Sequence, residues 1–253
     1  MKIEEKQVHE HGFVKLLDVM GNDEEVENAA RISYGEGTRK TSQTRNLIRY
    51  LMRHRHTSPF EMCEVKFHLK LPIFVMRQLV RHRTANLNEY SGRYSIMSDD
   101  FYFPKGDEIK PQSSTNNQGR EENHPSTGLL HYEFNRVYDN AHIAYENLLD
   151  EDIARELART VLPVANYTEC IWKIDLHNFF HVVHLRADSH AQREIRDYAN
   201  AMYELVKPHF PLCCEAFEDY TVNGETFSKQ EMEIIKDNLN GSWVMSKLSL
   251  IHI

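Results

Sequence analysis

Between Cys63 and Leu71 the apolar residues Cys63, Val65, Phe67, Leu69 and Leu71 alternate with Glu64, Lys66, His68 and Lys70. A period of two is the pattern of a strand with one face buried and the other wet. Pro72 stands where a helix can open, since the N–H it lacks is one that a first helical turn leaves unpaired. The run IFVMRQLVRHR that follows predicts a helix from Ile73 to Arg83. At about 100° per residue, Arg77, Gln78 and Arg81 share one arc, while Val75, Met76, Leu79 and Val80 lie elsewhere. A half-buried strand thus feeds an apolar helix that carries two guanidinium groups and an amide close together.

The rest of the chain is mostly helical in pattern. Helices are expected over Asp23–Tyr34, with Asp23 as a possible cap, and over Thr41–Arg55, which the TSPFE segment around Pro59 breaks. Further helices are expected at Thr127–Leu149, Asp152–Leu162, Leu176–Arg186, Ala191–Lys207, Pro211–Tyr220 and Ser228–Asn238. Thr168, Cys170, Trp172 and Ile174 share a parity and predict a second strand, after which Asp175 is placed to cap a helix. The stretch from about Asp99 to Ser126, with Pro104, Pro111, Gly119 and Pro125, reads as a loop or insertion. No internal repeat is present. The fold class is α+β, with helices outnumbering strands.

With 253 residues and 41% apolar composition, the chain can bury a substantial core, most simply as one domain. The formal net charge of -8 argues against a polymeric nucleic-acid partner. No run reaches the length of a membrane span, and the start MKIEEKQVHEHG has no apolar core of a secretory signal. Cys63, Cys170, Cys213 and Cys214 form neither a C-x-x-C pair nor a disulfide framework. The expectation is a reduced, cytoplasmic protein.

The run RHRTANLNEYSGRYS concentrates Arg81, His82, Arg83 and Arg93 against a single acid, Glu89. Guanidinium groups bind phosphate through paired N–H bonds, and Ser91 and Gly92 add a hydroxyl and an unhindered backbone N–H. The run reads as an anion site, or as a solvated basic turn. In LRADSHAQREI, Arg186 is a potential fixed cation or the partner of Asp188 in a structural bridge. In DLHNFFHVVH, His177, His181 and His184 fall on one helical face, a spacing that could chelate zinc. That leaves a metal-dependent phosphohydrolase and a non-catalytic nucleotide-binding protein as rival classes. No H-E-x-x-H, G-x-G-x-x-G or P-loop sequence occurs.

The run RHRTANLNEYSGRY resembles the signature of flavin-dependent thymidylate synthases, in which R-H-R precedes an N-E-x-S-x-R core, here Asn88, Glu89, Tyr90, Ser91, Gly92 and Arg93. Asn86 stands where some members have serine. The resemblance extends over about Gly12–Tyr220 and includes HRHTSPFE, RADSHAQREI and Arg159 in LARTVLP. It implies one α+β domain over residues 1–253 with a core at about 12–220, an insertion at about 105–125 and a C-terminal extension at 221–253. The sheet is expected to be central and mostly antiparallel, in a homotetramer.

The resemblance further implies methylation of dUMP to dTMP, with FAD as cofactor and NADPH and 5,10-methylenetetrahydrofolate as co-substrates. For dUMP it implies Gln78, Leu79, Val80, Arg81, Glu89, Tyr90, Ser91, Gly92, Arg93, Arg159 and Arg186. Arg186 matches the arginine that contacts the uracil ring and favours its ionisation. For FAD it implies Ser58, Arg81, His82, Arg83, Glu89, Asp175, Leu176, His177 and His181. Asp175 and His177 replace an Asn-x-Arg found in other members. No metal is implied.

Overall fold

The computed structural model describes residues 4–32, 44–114, 120–121 and 127–238. The chain enters through two antiparallel strands, β1 (Glu4–Val8) and β2 (Gly12–Met20), followed by helix α1 (Asp23–Arg31). Helices α2 (Thr44–Arg53) and α3 (Ser58–Glu61) lead to β3 (Glu64–Pro72) and α4 (Ile73–Leu79). The short edge strand β4 (Asn86–Glu89) is followed by α5 (Thr127–Asp150) and α6 (Arg155–Ala158). Strand β5 (Tyr167–Asp175) passes directly into α7 (Leu176–Arg186). Helices α8 (Arg193–Val206), α9 (Pro211–Phe217) and α10 (Lys229–Asn238) complete the described chain.

The strands form one sheet in the order β1-β2-β3-β5-β4, with every pairing antiparallel. The alternation read from Cys63 to Leu71 holds: Val65, Phe67, Leu69 and Leu71 are fully buried. On the same face β5 contributes Cys170, Trp172 and Ile174, and the core continues into Phe179 and Phe180 of α7 and Met202 and Val206 of α8. Phe67 stacks with Trp172 and Phe179, and Phe180 stacks on Phe217. The opposite face is charged and paired, as in His68–Glu169 at 2.8 Å and Lys70–Asp100 at 2.6 Å.

Several boundaries differ from expectation, each for a local reason. Asn22, not Asp23, caps α1, its side chain accepting from the N–H groups of Glu24 and Glu25. Asp23 is buried and instead accepts from the N–H groups of Leu212 and Cys213, at the start of α9. Helix α4 stops at Leu79, because Val80 already bonds back to Met76 and Gln78, and the N–H groups of Arg81 and His82 close tight turns to Gln78 and Leu79. Asp152, in the left-handed region at φ 59, separates α5 from α6. The expected helix there is reduced to one α-turn and a 3₁₀ turn at Arg159–Val161. The expected helix start at Thr41 and much of the 105–125 insertion lie outside the described residues. No helix among the described residues is long and apolar enough to cross a membrane.

Candidate active site

The C-terminal end of α4 meets the α7–α8 connection, distant in sequence, at two points. The end of α7 joins it where Nε of Arg186 donates to Nε2 of His82 at 3.0 Å. The loop before α8 joins it where Nε2 of Gln78 donates to Oε1 of Gln192 at 2.6 Å. The His82 ring also lies edge-on to His181, with centroids 5.8 Å apart.

The electrostatics of this junction are set by burial and like charge. Burial, with the Arg186 cation and His181 beside it, pushes the His82 imidazole down to about 4. A neutral ring is what the geometry requires, since only an unprotonated Nε2 accepts from Arg186. Burial, and then the neighbouring Arg81, lower the pKa of Arg186, which starts so high that the guanidinium stays charged. Among the described residues, Arg93 pairs with Glu156 at 2.9 Å, whereas Arg81, Arg83, Arg159 and Arg186 make no ion pair. The junction therefore holds an excess of positive charge.

The expected phosphate loop is pinned to β5. Thr168 donates to Oε1 of Glu89 at 2.9 Å, and the Tyr90 N–H bonds the Glu169 carbonyl at 2.8 Å, fixing the end of β4 to β5. The Tyr90 hydroxyl donates to the Ile96 carbonyl at 2.8 Å and closes the loop. Inside it, the N–H of Arg93 faces the Ser91 hydroxyl oxygen at 3.4 Å. A Cβ at Gly92 would come within 2.8 Å of the Met97 sulfur and 3.0 Å of Cδ of Arg159. Glycine lets the loop pack directly on Arg159, so Ser91, Gly92, Arg93 and Arg159 form one cluster.

On the far side of His181 opens a cleft of about 580 Å³. His177, His181 and His184 line it together with Phe180, as the helical spacing predicted. Ser58 is exposed at the start of α3, next to the cleft-lining Thr57. The other walls were not expected: Arg53, Arg55 and His56 from the end of α2, and Tyr220, Thr221, Gly224 and Thr226 from beyond α9. The basic run RHRH was a signal for the first group; the second carries none. The lining contains no carboxylate or thiol, and no group of three or more His, Cys, Asp or Glu among the described residues could hold a metal ion.

Some expected site residues point elsewhere. The side chains of Leu79 and Leu176 are sealed in the core, so only their backbones can meet a ligand. Asp175 caps α7, accepting from the backbone N–H of Asn178 at one oxygen and from its side-chain amide at the other, each at 2.8 Å. Val80 packs partly buried against the core.

Residues 15–212 match the family model described as thymidylate synthase complementing protein. A flavin-dependent thymidylate synthase of Wolbachia pipientis wMel is 48% identical over 254 residues, covering 98% of this chain and 88% of the relative. The chain belongs to the flavin-dependent thymidylate synthase family. A family member from Dictyostelium discoideum is 48% identical over 241 residues, covering 92% of this chain and 80% of its own. The fold is shared with the UMP/dUMP methylase PolB from Streptomyces cacaoi, solved bound with 5-Br dUMP. That similarity has a TM-score of 0.77 at 33% identity, over 85% of this chain and 98% of that one. In this member of the flavin-dependent thymidylate synthases, the signature run spans the end of α4, where His82 meets Arg186, and the loop after β4.

Proposed function

We propose that this chain is a flavin-dependent thymidylate synthase that methylates dUMP to dTMP. The observation that carries the reading is the cationic junction: among the described residues Arg81 and Arg186 have no acid partner, and a neutral His82 ties Arg186 to the histidine-lined cleft. FAD, reduced by NADPH, supplies the hydride chemistry, and 5,10-methylenetetrahydrofolate supplies the carbon. The cleft suits a flavin cofactor in kind, since its lining joins apolar side chains with His56, His177, His181 and His184 and with Arg55, a cation for a pyrophosphate.

In this reading Ser91, Gly92, Arg93 and Arg159 hold the nucleotide phosphate. Gln78, the backbones of Leu79 and Val80, Arg81, Glu89 and Tyr90 border the nucleoside. Arg186, fixed by His82, stands by the pyrimidine carbonyls and stabilises negative charge as it develops there. Ser58, Arg81, His82, Arg83, Glu89, His177 and His181 hold the flavin, and Asp175 and Leu176 shape the start of α7 beneath it. The core at 12–220 carries the chemistry, with the 105–125 insertion and the 221–253 extension added to it. The working form is a cytoplasmic homotetramer, consistent with four buried free cysteines and with apolar residues left exposed on α5.

The test is direct. Purified protein should show flavin absorption bands, natively or after FAD is added, and should form dTMP from dUMP when given NADPH and methylenetetrahydrofolate. A protein that takes up no FAD and forms no dTMP, yet carries stoichiometric zinc or manganese, would favour the phosphohydrolase instead.

A further inference from the structure

Glu194, in the first turn of α8, is 1% exposed. Its Oε1 accepts from the Tyr102 hydroxyl at 2.8 Å and from Arg120 at 2.6 Å, and its Oε2 accepts from Nε2 of Gln192 at 2.8 Å. Burial opposes its charge, but the Arg120 guanidinium holds the carboxyl below the usual range. It is therefore a pure acceptor, surrounded by donors. Tyr102 also reaches a second buried carboxylate, Glu108, which Arg193 and the Lys105 N–H hold in place. Arg120 comes from the insertion, so the insertion takes part in this network.

The ionised carboxylate fixes the direction of two amides in series. Because Oε2 of Glu194 can only accept, Gln192 must turn its NH2 inward and its carbonyl outward. That carbonyl accepts from the NH2 of Gln78 at 2.6 Å, which leaves the Gln78 carbonyl as the group it can offer a ligand. An acceptor presented to a pyrimidine edge matches the N3–H of neutral uracil, the form that binds before Arg186 draws charge onto the ring, and meets the bare N3 lone pair of cytosine.

We infer that Glu194 is a positioning residue that sets the hydrogen-bond polarity of Gln78 through Gln192, so that the site takes a uracil nucleotide in preference to a cytosine nucleotide. The inference rests on the reading that Gln78 borders the nucleoside. Glu194→Gln keeps the shape but can turn an NH2 toward Gln192. Arg120, which can only donate, keeps the glutamine carbonyl on its side, so Gln192 and then Gln78 must reverse. Gln192→Leu, at an exposed position, cuts the relay and leaves the Arg120 and Tyr102 contacts of Glu194 in place.

The experiment is calorimetric titration of FAD-loaded holoenzyme with dUMP, dCMP and deoxyribose 5-phosphate, for wild type, Glu194→Gln, Gln192→Leu, Gln78→Ala, Arg93→Ala and the Glu194→Gln/Gln78→Ala double variant. Glu194→Gln should bind dUMP about tenfold more weakly, the loss of roughly one hydrogen bond. Its dUMP-to-dCMP preference should fall by at least that factor, while deoxyribose 5-phosphate binds as in wild type. Gln192→Leu should lose preference in the same direction, and Glu194→Gln should add nothing once Gln78 is alanine. Equal weakening for all three ligands, or an unchanged preference in both relay variants while Gln78→Ala loses dUMP, would overturn the relay alone. Wild-type dUMP affinity in both Gln78→Ala and Arg93→Ala would overturn the nucleotide-site reading and the relay with it.

Discussion

At His82 a neutral ring serves as the acceptor for a cation, and this makes the junction sensitive to acid. Its folded pKa, about 4, lies below the 6.5 of a free histidine, so the unfolded chain binds the proton more tightly. Stability therefore falls as pH drops from about 6.5 toward about 4, and is unaffected by this group above that window. Thermal melts of wild type and His82→Asn across that range should show a shallower acid limb in the variant; parallel curves would remove His82 as the cause. Arg93 poses a different question, since in the free chain it pairs with Glu156 and both side chains are more than half exposed. Such a pair is weak and readily exchanged for a phosphate. Arg93→Ala should cost about 2 kcal/mol of dUMP binding, the worth of a charge-assisted contact, and Glu156→Gln should tighten dUMP a few-fold by removing the competitor. Unchanged affinity in both variants would take the phosphate away from Arg93. Ser91 and Arg186 separate by kinetics. Ser91→Ala should retain single-turnover dTMP formation and lose mostly dUMP affinity, as no base bonds its hydroxyl among the described residues. Arg186→Ala should lose most turnover even with dUMP saturating. The reverse pattern would make Ser91 the reactive group. Most of these residues were legible in the sequence because they lie in one dense run. Gln192, Arg120 and Glu156 were not, because their roles arise only from three-dimensional contact.

Among the elements, β3, β5, α7 and α8 were readable because each has one buried face and a clean period. Strand β2 was not, since Phe13, Val14, Leu16, Leu17 and Val19 occupy both parities and its pairing shifts between Leu16 and Asp18. Strand β4 was hidden for a simpler reason: all its residues are exposed, so no alternation marks it. The misassigned cap at α1 shows the limit of local reading, because Asp23 serves a helix that begins almost two hundred residues later. Asp23→Ala should lower stability by about 1 kcal/mol or more through loss of that cap, with FAD and dUMP binding unchanged in the folded fraction. A melting temperature equal to that of wild type would show the contact to be idle. The four cysteines sit within these elements and are all buried. Burial pushes Cys63 up to about 11 and Cys170 and Cys214 each up to about 12, and raises Cys213 as well. No thiolate is available near neutral pH. A variant with all four replaced by serine should be less stable but still form dTMP from its folded fraction, and a trapped cysteine–dUMP adduct in the wild type would contradict this.

At the scale of the whole molecule, the outer face of α5 is the surface that bears on assembly. Tyr138, Tyr145 and Leu148 on one side of this helix join or pack against small clusters of the same chain. On the opposite side Leu129, Tyr132 and Ile143 are 66%, 60% and 53% exposed. At about 100° per residue these three fall within roughly 60° of one another, on an arc that also carries Arg136. A stripe of large apolar residues along a long helix is the signature of a surface that another chain buries. If the proposed homotetramer forms and completes the flavin site, oligomerisation and cofactor binding must rise and fall together by linkage. Leu129→Glu combined with Ile143→Glu places charge on the stripe without disturbing the inward face of α5. This variant should elute as a smaller species on size exclusion and bind FAD at least tenfold more weakly than wild type. Raising the protein concentration should partly restore both properties, because each is then set by the same association equilibrium. A dissociated variant that keeps wild-type FAD affinity would show that one chain holds the flavin by itself, and a variant of unchanged size would show that α5 is not the surface between subunits.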